Sequence, residues 1–281
     1  MVLLGVLFKC LDPLLILASL QGHTNFYVNP LDRPQGQKDQ IRSAMALGEP
    51  SDHFGRLNAY REWRYITATR GKESGMQYAW DNLLHVGALN TVQKTSEQLL
   101  AMLVNWGMVK DVPVELRYNF ELGDSDLNIN SDVQPLVFSL LTAGLQPNLA
   151  VQMTNMVLQT HTDAKALLHP SSINSNAGAE KLNPKDKYAG AGPPGTLVIY
   201  SEKTQSSGGT FLRDTTVVGP TTSLMFGGHV SRTDDKTILD LNGWLPMQFE
   251  TGVVPYFLSL IECLNKVIPL LDCDPNSLVF G

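Results

Sequence analysis

The chain has 281 residues, 43% of them hydrophobic and 17% charged, which is enough for one large or two ordinary packed domains and too apolar for global disorder. Its formal charge is −6. A division near residue 131 leaves 12 basic against 14 acidic residues before it and 9 against 13 after it, so neither half has the basic excess of a free-standing nucleic-acid binder. Cys10, Cys263 and Cys273 lack CxxC spacing, which speaks against a disulfide framework or zinc site and for a reducing compartment.

Residues 1–20 are apolar, but Lys9, Asp12 and Pro13 break the run in its middle. A membrane span needs about 20 residues nearly free of charge, and a secretory leader carries its basic residues first. The segment therefore reads as two amphipathic helices joined at Leu11-Asp12-Pro13, the second of them, 14–20, buried. Residues 26–30 form a short extended exit, 31–36 a polar loop and 40–47 a short helix. Ser51 or Asp52 caps a longer helix in which Phe54, Leu57, Tyr60 and Trp63 make an apolar stripe and Arg56 and Arg64 share a face. Residues 71–75 end it, and 78–84 and 92–106 are two further helices. In the second, Val92, Leu99, Leu103 and Trp106 fit one core stripe, with Gly107 as the C-cap.

The acidic stretch 121–132 is a candidate domain boundary, and 133–143 is a helix stopped by Gly144. Strands follow at 149–157 and 165–168, and then at 197–200, 210–218 and 222–226, with turns at Ser206-Ser207-Gly208-Gly209 and Gly219-Pro220. Between them, 171–195 is rich in Ser, Asn, Gly, Ala and Pro and reads as a long loop. Residues 237–241 and 244–249 close the strand region, and 254–268 is a terminal helix.

Motifs of catalysis are absent. Gly190-Ala191-Gly192-Pro193-Pro194-Gly195 fits GxGxxG by spacing, yet its two prolines lack the N–H groups a phosphate needs, Thr196 stands where a P-loop has Lys, and a strand follows instead of a helix. No acidic Walker B sequence is present, so the chain has no visible means of holding ATP and Mg²⁺. Ser51, Asp52 and His53 are adjacent, which suits a cap and not a relay assembled from distant segments. His23, His53, His85, His161, His169 and His229 show no zinc-like pairing. Arg56, Arg61, Arg64, Arg70 and Lys72, interleaved with Tyr60, Trp63 and Tyr65, read either as a solvated helix face or as a contact with RNA phosphates.

Several short segments, in order, resemble the C-terminal region of DEAH-box (DEAH/RHA) RNA helicases. They are Val6–Leu15; Ser51-Asp52-His53 with Leu57-Asn58-Ala59-Tyr60 and Trp63; His169-Pro170-Ser171-Ser172; Tyr200-Ser201-Glu202-Lys203; Phe211-Leu212-Arg213-Asp214-Thr215-Thr216; and Asn242-Gly243-Trp244-Leu245. Departures are Asn25 in place of a proline, Gly55 and Arg56 at apolar positions, Ala79-Trp80-Asp81 in place of a Phe-Cys stretch, and a longer loop after Ile173.

The resemblance implies an α+β chain: a helicase-associated, ratchet-like helical bundle over 1–131, then an OB-like β-barrel with flanking helices over 132–281. It implies the accessory part of an ATP-dependent helicase that binds single-stranded RNA and couples to RecA-like and winged-helix domains upstream, with ATP and Mg²⁺ held only there. On this reading Met1 is an internal methionine of a longer protein or of a truncated gene product. An activating protein docks on the OB domain in some members. The implied RNA contacts are Arg56, Arg61, Arg64, Lys203 and Arg213 for phosphates, His169 and Ser171 for hydrogen bonds, and Tyr200 for stacking. The implied location is the cytoplasm or nucleus, without a membrane. Two alternatives stand beside it: a motorless module that binds RNA or a protein by itself, and a truncated fragment without a role.

Overall fold

The computed structural model describes residues 1–22, 25–154, 157–175, 192–250 and 252–267. His23, Cys273, residue 268, and the stretch 176–191 of the long loop with Gly190 and Ala191 lie outside them.

The first helices are α1 (Val2–Leu7) and α2 (Leu11–Leu20). The break between them falls at Phe8-Lys9-Cys10, with Lys9 at a φ of 55°, earlier than the expected Leu11-Asp12-Pro13. Those three residues form the first turn of α2 instead, where a proline's missing N–H costs nothing. Nor is α2 amphipathic: Leu11, Leu14, Leu15, Ile16, Leu17 and Leu20 are all buried, so it forms the centre of the helical half. Among the described residues no helix is long and apolar enough to cross a membrane.

Helix α3 (Gln35–Met45) starts directly after Pro34, earlier than expected, and α4 (Asp52–Arg70) is capped by Ser51, whose Oγ accepts from the Phe54 N–H at 3.0 Å. Of the predicted stripe, Leu57, Tyr60 and Trp63 are buried and Phe54 is half-buried. Gly71, at a φ of 89°, ends α4, and α5 (Lys72–Asp81) folds straight back along it. Gly75 therefore belongs to α5 and not to a turn: a Cβ there would lie 2.1 Å from Thr67 Oγ1, so only glycine allows this approach. In α6 (Val86–Asn105) the buried side is Val92, Ser96, Leu100 and Leu103, whereas Leu99 is only partly covered and Trp106 is exposed. Gly107 terminates α6 as predicted, its N–H on Val104 O and that of Met108 on Leu103 O.

The acidic stretch after residue 120 wraps the N-terminus of α2. Asp12 is fully buried and receives Arg64 Nη1 at 2.7 Å, Arg61 Nη2 at 3.0 Å and the Leu122 N–H at 3.0 Å. Asn128 accepts from the Asp12 N–H at 2.8 Å and donates to Leu122 O at 2.9 Å. Burial acts to raise the Asp12 carboxyl, but Arg64 and Arg61 outweigh it and hold it at about 2.

Helix α7 (Gln134–Leu145) leads into β1 (Leu149–Gln152), β2 (Val157–Thr160), β3 (Ala166–Leu168), β4 (Leu197–Ser206) and β5 (Gly209–Val218). They close into a barrel in the order β1-β2-β3-β5-β4, with β4 back against β1. Among the described strands only the β3–β5 pair is parallel, Leu167 lying opposite Phe211. The single strand expected over 149–157 is two antiparallel strands, β1 and β2, with the Met153 N–H on Val157 O. The strand expected over 222–226 is wrong: α8 (Pro220–Phe226) is a helix. Pro220 presets a helical first turn, and Ser223, Leu224 and Phe226 are buried at helical spacing beside α7. A three-stranded sheet of β6 (Val230–Arg232), β7 (Ile238–Leu241) and β8 (Leu245–Gln248), and helix α9 (Val254–Val267), are the last of the described elements.

One buried apolar cluster runs from Leu4 and Leu15 through Tyr60, Leu140, Ile199 and Leu239 to Ile261, joining the helical half to the barrel wall. A second, of Ala150, Leu158, Ala166, Val198, Tyr200 and Leu212, fills the barrel.

Asp12→Ala strands two guanidinium groups in the interior and is expected to cost about 3–5 kcal/mol, read by urea unfolding at neutral pH. The stabilising share of Asp12 is present above the unfolded carboxyl range near pH 4 and is lost as pH falls toward 2. The gap between the wild type and the variant should therefore narrow as pH falls from 4 toward 2.

Candidate nucleic-acid interface

The residues that carry the family resemblance meet at one seam, where the start of α4 lies against β5 and the turn after β3. Asp52, the first residue of α4, is 9% exposed. Its Oδ2 accepts from Ser172 Oγ at 2.5 Å and from the Thr215 N–H at 2.8 Å, and its Oδ1 accepts from the Ile173 N–H at 2.9 Å. Ser51 Oγ lies 2.6 Å from Thr216 Oγ1, and the Val217 N–H donates to Pro50 O. Asn174 Nδ2 ties the same turn to Pro50 O and Thr215 O. The His53 ring bridges two strands, Nδ1 to Thr216 Oγ1 at 2.8 Å and Nε2 to Ser201 Oγ at 2.7 Å. Burial, reinforced by Arg56, pushes His53 down to about 3, so the ring is neutral.

At the outer end of this seam His169, half-buried, lies between Ser171 and Arg213. Nδ1 is 2.7 Å from Ser171 Oγ and Nε2 is 2.7 Å from Arg213 Nη2. The guanidinium donates toward Nε2, and the Ser171 N–H donates to Nδ1 at 3.1 Å. Burial and then Arg213 lower the pKa of His169, in keeping with a neutral ring. Phe211 meets the same ring edge-on at 6.1 Å. On the adjoining barrel wall Lys203 Nζ is held by Asp163 Oδ2 at 2.6 Å and Thr162 Oγ1 at 2.7 Å. Lys203 and Tyr200 border a groove of about 700 Å³ whose far side is Trp244, His161 and His229.

The structure thus brings His169, Ser171 and Arg213 into one group and places Lys203 apart from them on β4. Arg56, Arg61 and Arg64 point inward. Arg56 binds Asp214 with both terminal nitrogens, and Arg61 and Arg64 enclose Asp12. Tyr200 is 6% exposed, its ring inside the barrel. Asp214, which binds Arg56, adopts a φ of 51° where the β4–β5 register passes from the Tyr200–Thr215 pair to the Glu202–Arg213 pair. This left-handed conformation suits Asp better than most residues. Sequence reading passed over Asp52 as more than a cap, and over Thr215, Thr216, Ser201 and Asn174. Their one signal was position: each stands in or beside a segment already noted for its resemblance.

Asp52→Ala leaves the Ile173 and Thr215 N–H groups without an acceptor and is expected to lower stability by roughly 2–4 kcal/mol, measured by chemical unfolding. His53 makes a separate pH signature. The unfolded ring binds a proton near pH 6.5 and the folded ring only near 3, so its contribution is complete above 6.5 and is lost as pH falls toward 3. By pH 5 the loss is about 2 kcal/mol. The slope of unfolding free energy between pH 7 and 5 should flatten by nearly one proton in His53→Gln.

Comparison with known proteins agrees with this geometry. The family described as oligonucleotide/oligosaccharide-binding (OB)-fold matches residues 137–230, which run from α7 through the barrel to β6. The chain is 27% identical over 280 residues to the Bos taurus ATP-dependent DNA/RNA helicase DHX36, covering 96% of this chain and 25% of that protein. It is 25% identical over 278 residues to Homo sapiens ATP-dependent RNA helicase DHX29, covering 95% of this chain and 19% of that protein. With Arabidopsis thaliana DExH-box ATP-dependent RNA helicase DExH1 the identity is 28% over 282 residues, or 98% of this chain and 25% of that protein. The chain accordingly spans about a fifth to a quarter of the length of these relatives. Residues 137–230 carry an OB-fold domain, and over most of its length the chain is a homologue of DEAH-box helicases.

Proposed function

We propose that this chain is the accessory part of an ATP-dependent RNA helicase, holding single-stranded RNA against the barrel and coupling it to motor domains that bind ATP and Mg²⁺. The observation that carries the reading is the closed barrel in the order β1-β2-β3-β5-β4 within a chain homologous to helicases over most of its length. Barrels of this kind bind single strands by tracking the backbone with cations and stacking bases on aromatic rings.

The contact group we assign is His169, Ser171, Arg213 and Lys203, which stand at the barrel surface with exposed or half-exposed side chains. Arg61 and Arg64 serve by holding Asp12, Arg56 by holding Asp214, and Tyr200 by filling the barrel beneath Lys203. With a net charge of −6 the chain should bind RNA weakly by itself, and the motor and winged-helix domains of the same helicase are its first partners. An activating protein at the barrel and a place in the cytoplasm or nucleus complete the proposal.

Fluorescence anisotropy with a labelled oligouridylate tests it. The full chain should bind with a Kd of about 10–100 μM at low salt. Arg213→Gln and Lys203→Gln should each weaken binding several-fold with only a small change in thermal stability. Unchanged affinity in both variants would refute the assignment.

A further inference from the structure

A small polar cavity of about 50 Å³ opens between α3, the start of α4, β5 and the turn after β3. Among its lining residues are Tyr27, Arg42, Asp52, Arg56, Ser171 and Asp214. Arg42 is 8% exposed, and its guanidinium lies 5.2 Å from the centre of the Tyr27 ring. Its buried Nε has no hydrogen-bond partner among the described residues, and no ion pair to this side chain is found among them.

That is unusual for an interior arginine, since buried charges are paired or hydrogen-bonded as a rule. The two carboxylates in the cavity wall are committed elsewhere. Both oxygens of Asp214 take Arg56, and those of Asp52 take Ser172, Ile173 and Thr215. Ser171 also lines the cavity, its Oγ 2.7 Å from His169 Nδ1.

We infer that this cavity takes one phosphodiester of a single-stranded RNA backbone, with Arg42 as the two-pronged anchor and the Ser171 hydroxyl as a second donor at the rim. The inference rests on the RNA reading above and adds to it a residue, Arg42, that the sequence motifs do not mark. The nearby carboxylates Asp52 and Asp214 set the ligand's charge: they tolerate a singly charged diester and disfavour the more highly charged free phosphate. Arginine suits this role because its planar fork matches two phosphate oxygens at once.

The test uses the full chain and its Arg42→Met and Arg42→Lys variants, with a short oligouridylate as probe. Arg42→Met should lower affinity about tenfold or more while leaving Tm in RNA-free buffer unchanged or higher, because it removes a buried charge without a partner. Arg42→Lys keeps the charge but not the fork, and should lose several-fold. It carries the test if the methionine variant fails to fold. Wild-type binding that both variants retain in full would overturn this inference alone. Failure of the wild type to bind the oligonucleotide would overturn the broader RNA reading and this inference with it. Inorganic phosphate separates the two sources of the group. A rise in wild-type Tm over a chloride control, abolished by Arg42→Met while oligouridylate affinity stays unchanged, would make the site one for free phosphate and overturn the RNA assignment.

Discussion

The Asp52 carboxylate is the point at which three stretches of chain, far apart in sequence, become one structure. It caps nothing in its own helix. Instead it gathers the Ser172 hydroxyl, the Ile173 N–H and the Thr215 N–H, so the start of α4, the turn after β3 and the middle of β5 share one acceptor. Ser51 and His53 on either side repeat the pattern with Thr216 and Ser201. A carboxylate buried this way gives little stability beyond what desolvation takes away, but it leaves no alternative register that satisfies its donors. The apolar cluster that runs through both halves then fixes their packing around it.

A second buried carboxylate, Asp12, repeats the principle inside the helical half. There the partners are Arg61, Arg64 and the wrap that includes Leu122 and Asn128. Together with the Arg56–Asp214 pair, this turns inward Arg56, Arg61 and Arg64, the arginines of α4 that resemble a phosphate-binding face in sequence. The result is consistent with the chain's acidic balance. Among the cations assigned to the interface, Arg213 and Lys203 keep an outward position on the barrel, with Arg42 set beside the seam.

Much of the fold was legible because its signals are local. The Ser51 cap, the Leu57-Tyr60-Trp63 stripe, the Gly107 terminator and the strands around Tyr200 and Phe211 follow from periodicity and turn chemistry. What escaped was decided by contacts between distant segments. Thr222 to Phe226 has strand composition but is held as a helix by Pro220 and by burial of Leu224 and Phe226 beside α7. The arginines of α4 look like a solvated or phosphate-binding face until Asp12 and Asp214 are placed opposite them, and nothing near them in sequence announces either partner. Arg42 is a single basic residue in a polar helix, and only the three-dimensional arrangement shows it buried over Tyr27.

If the seam centred on Asp52 unites the two halves, the Ile173 and Thr215 amides can open only when the whole molecule unfolds. Native-state hydrogen exchange measures this directly. The account predicts that both amides exchange with the same free energy as the core amides of α4 at Leu57 and Tyr60, close to the global unfolding value. Exchange at Ile173 and Thr215 several kcal/mol easier than at Leu57 would contradict it, showing that the barrel and the helices part while each stays folded.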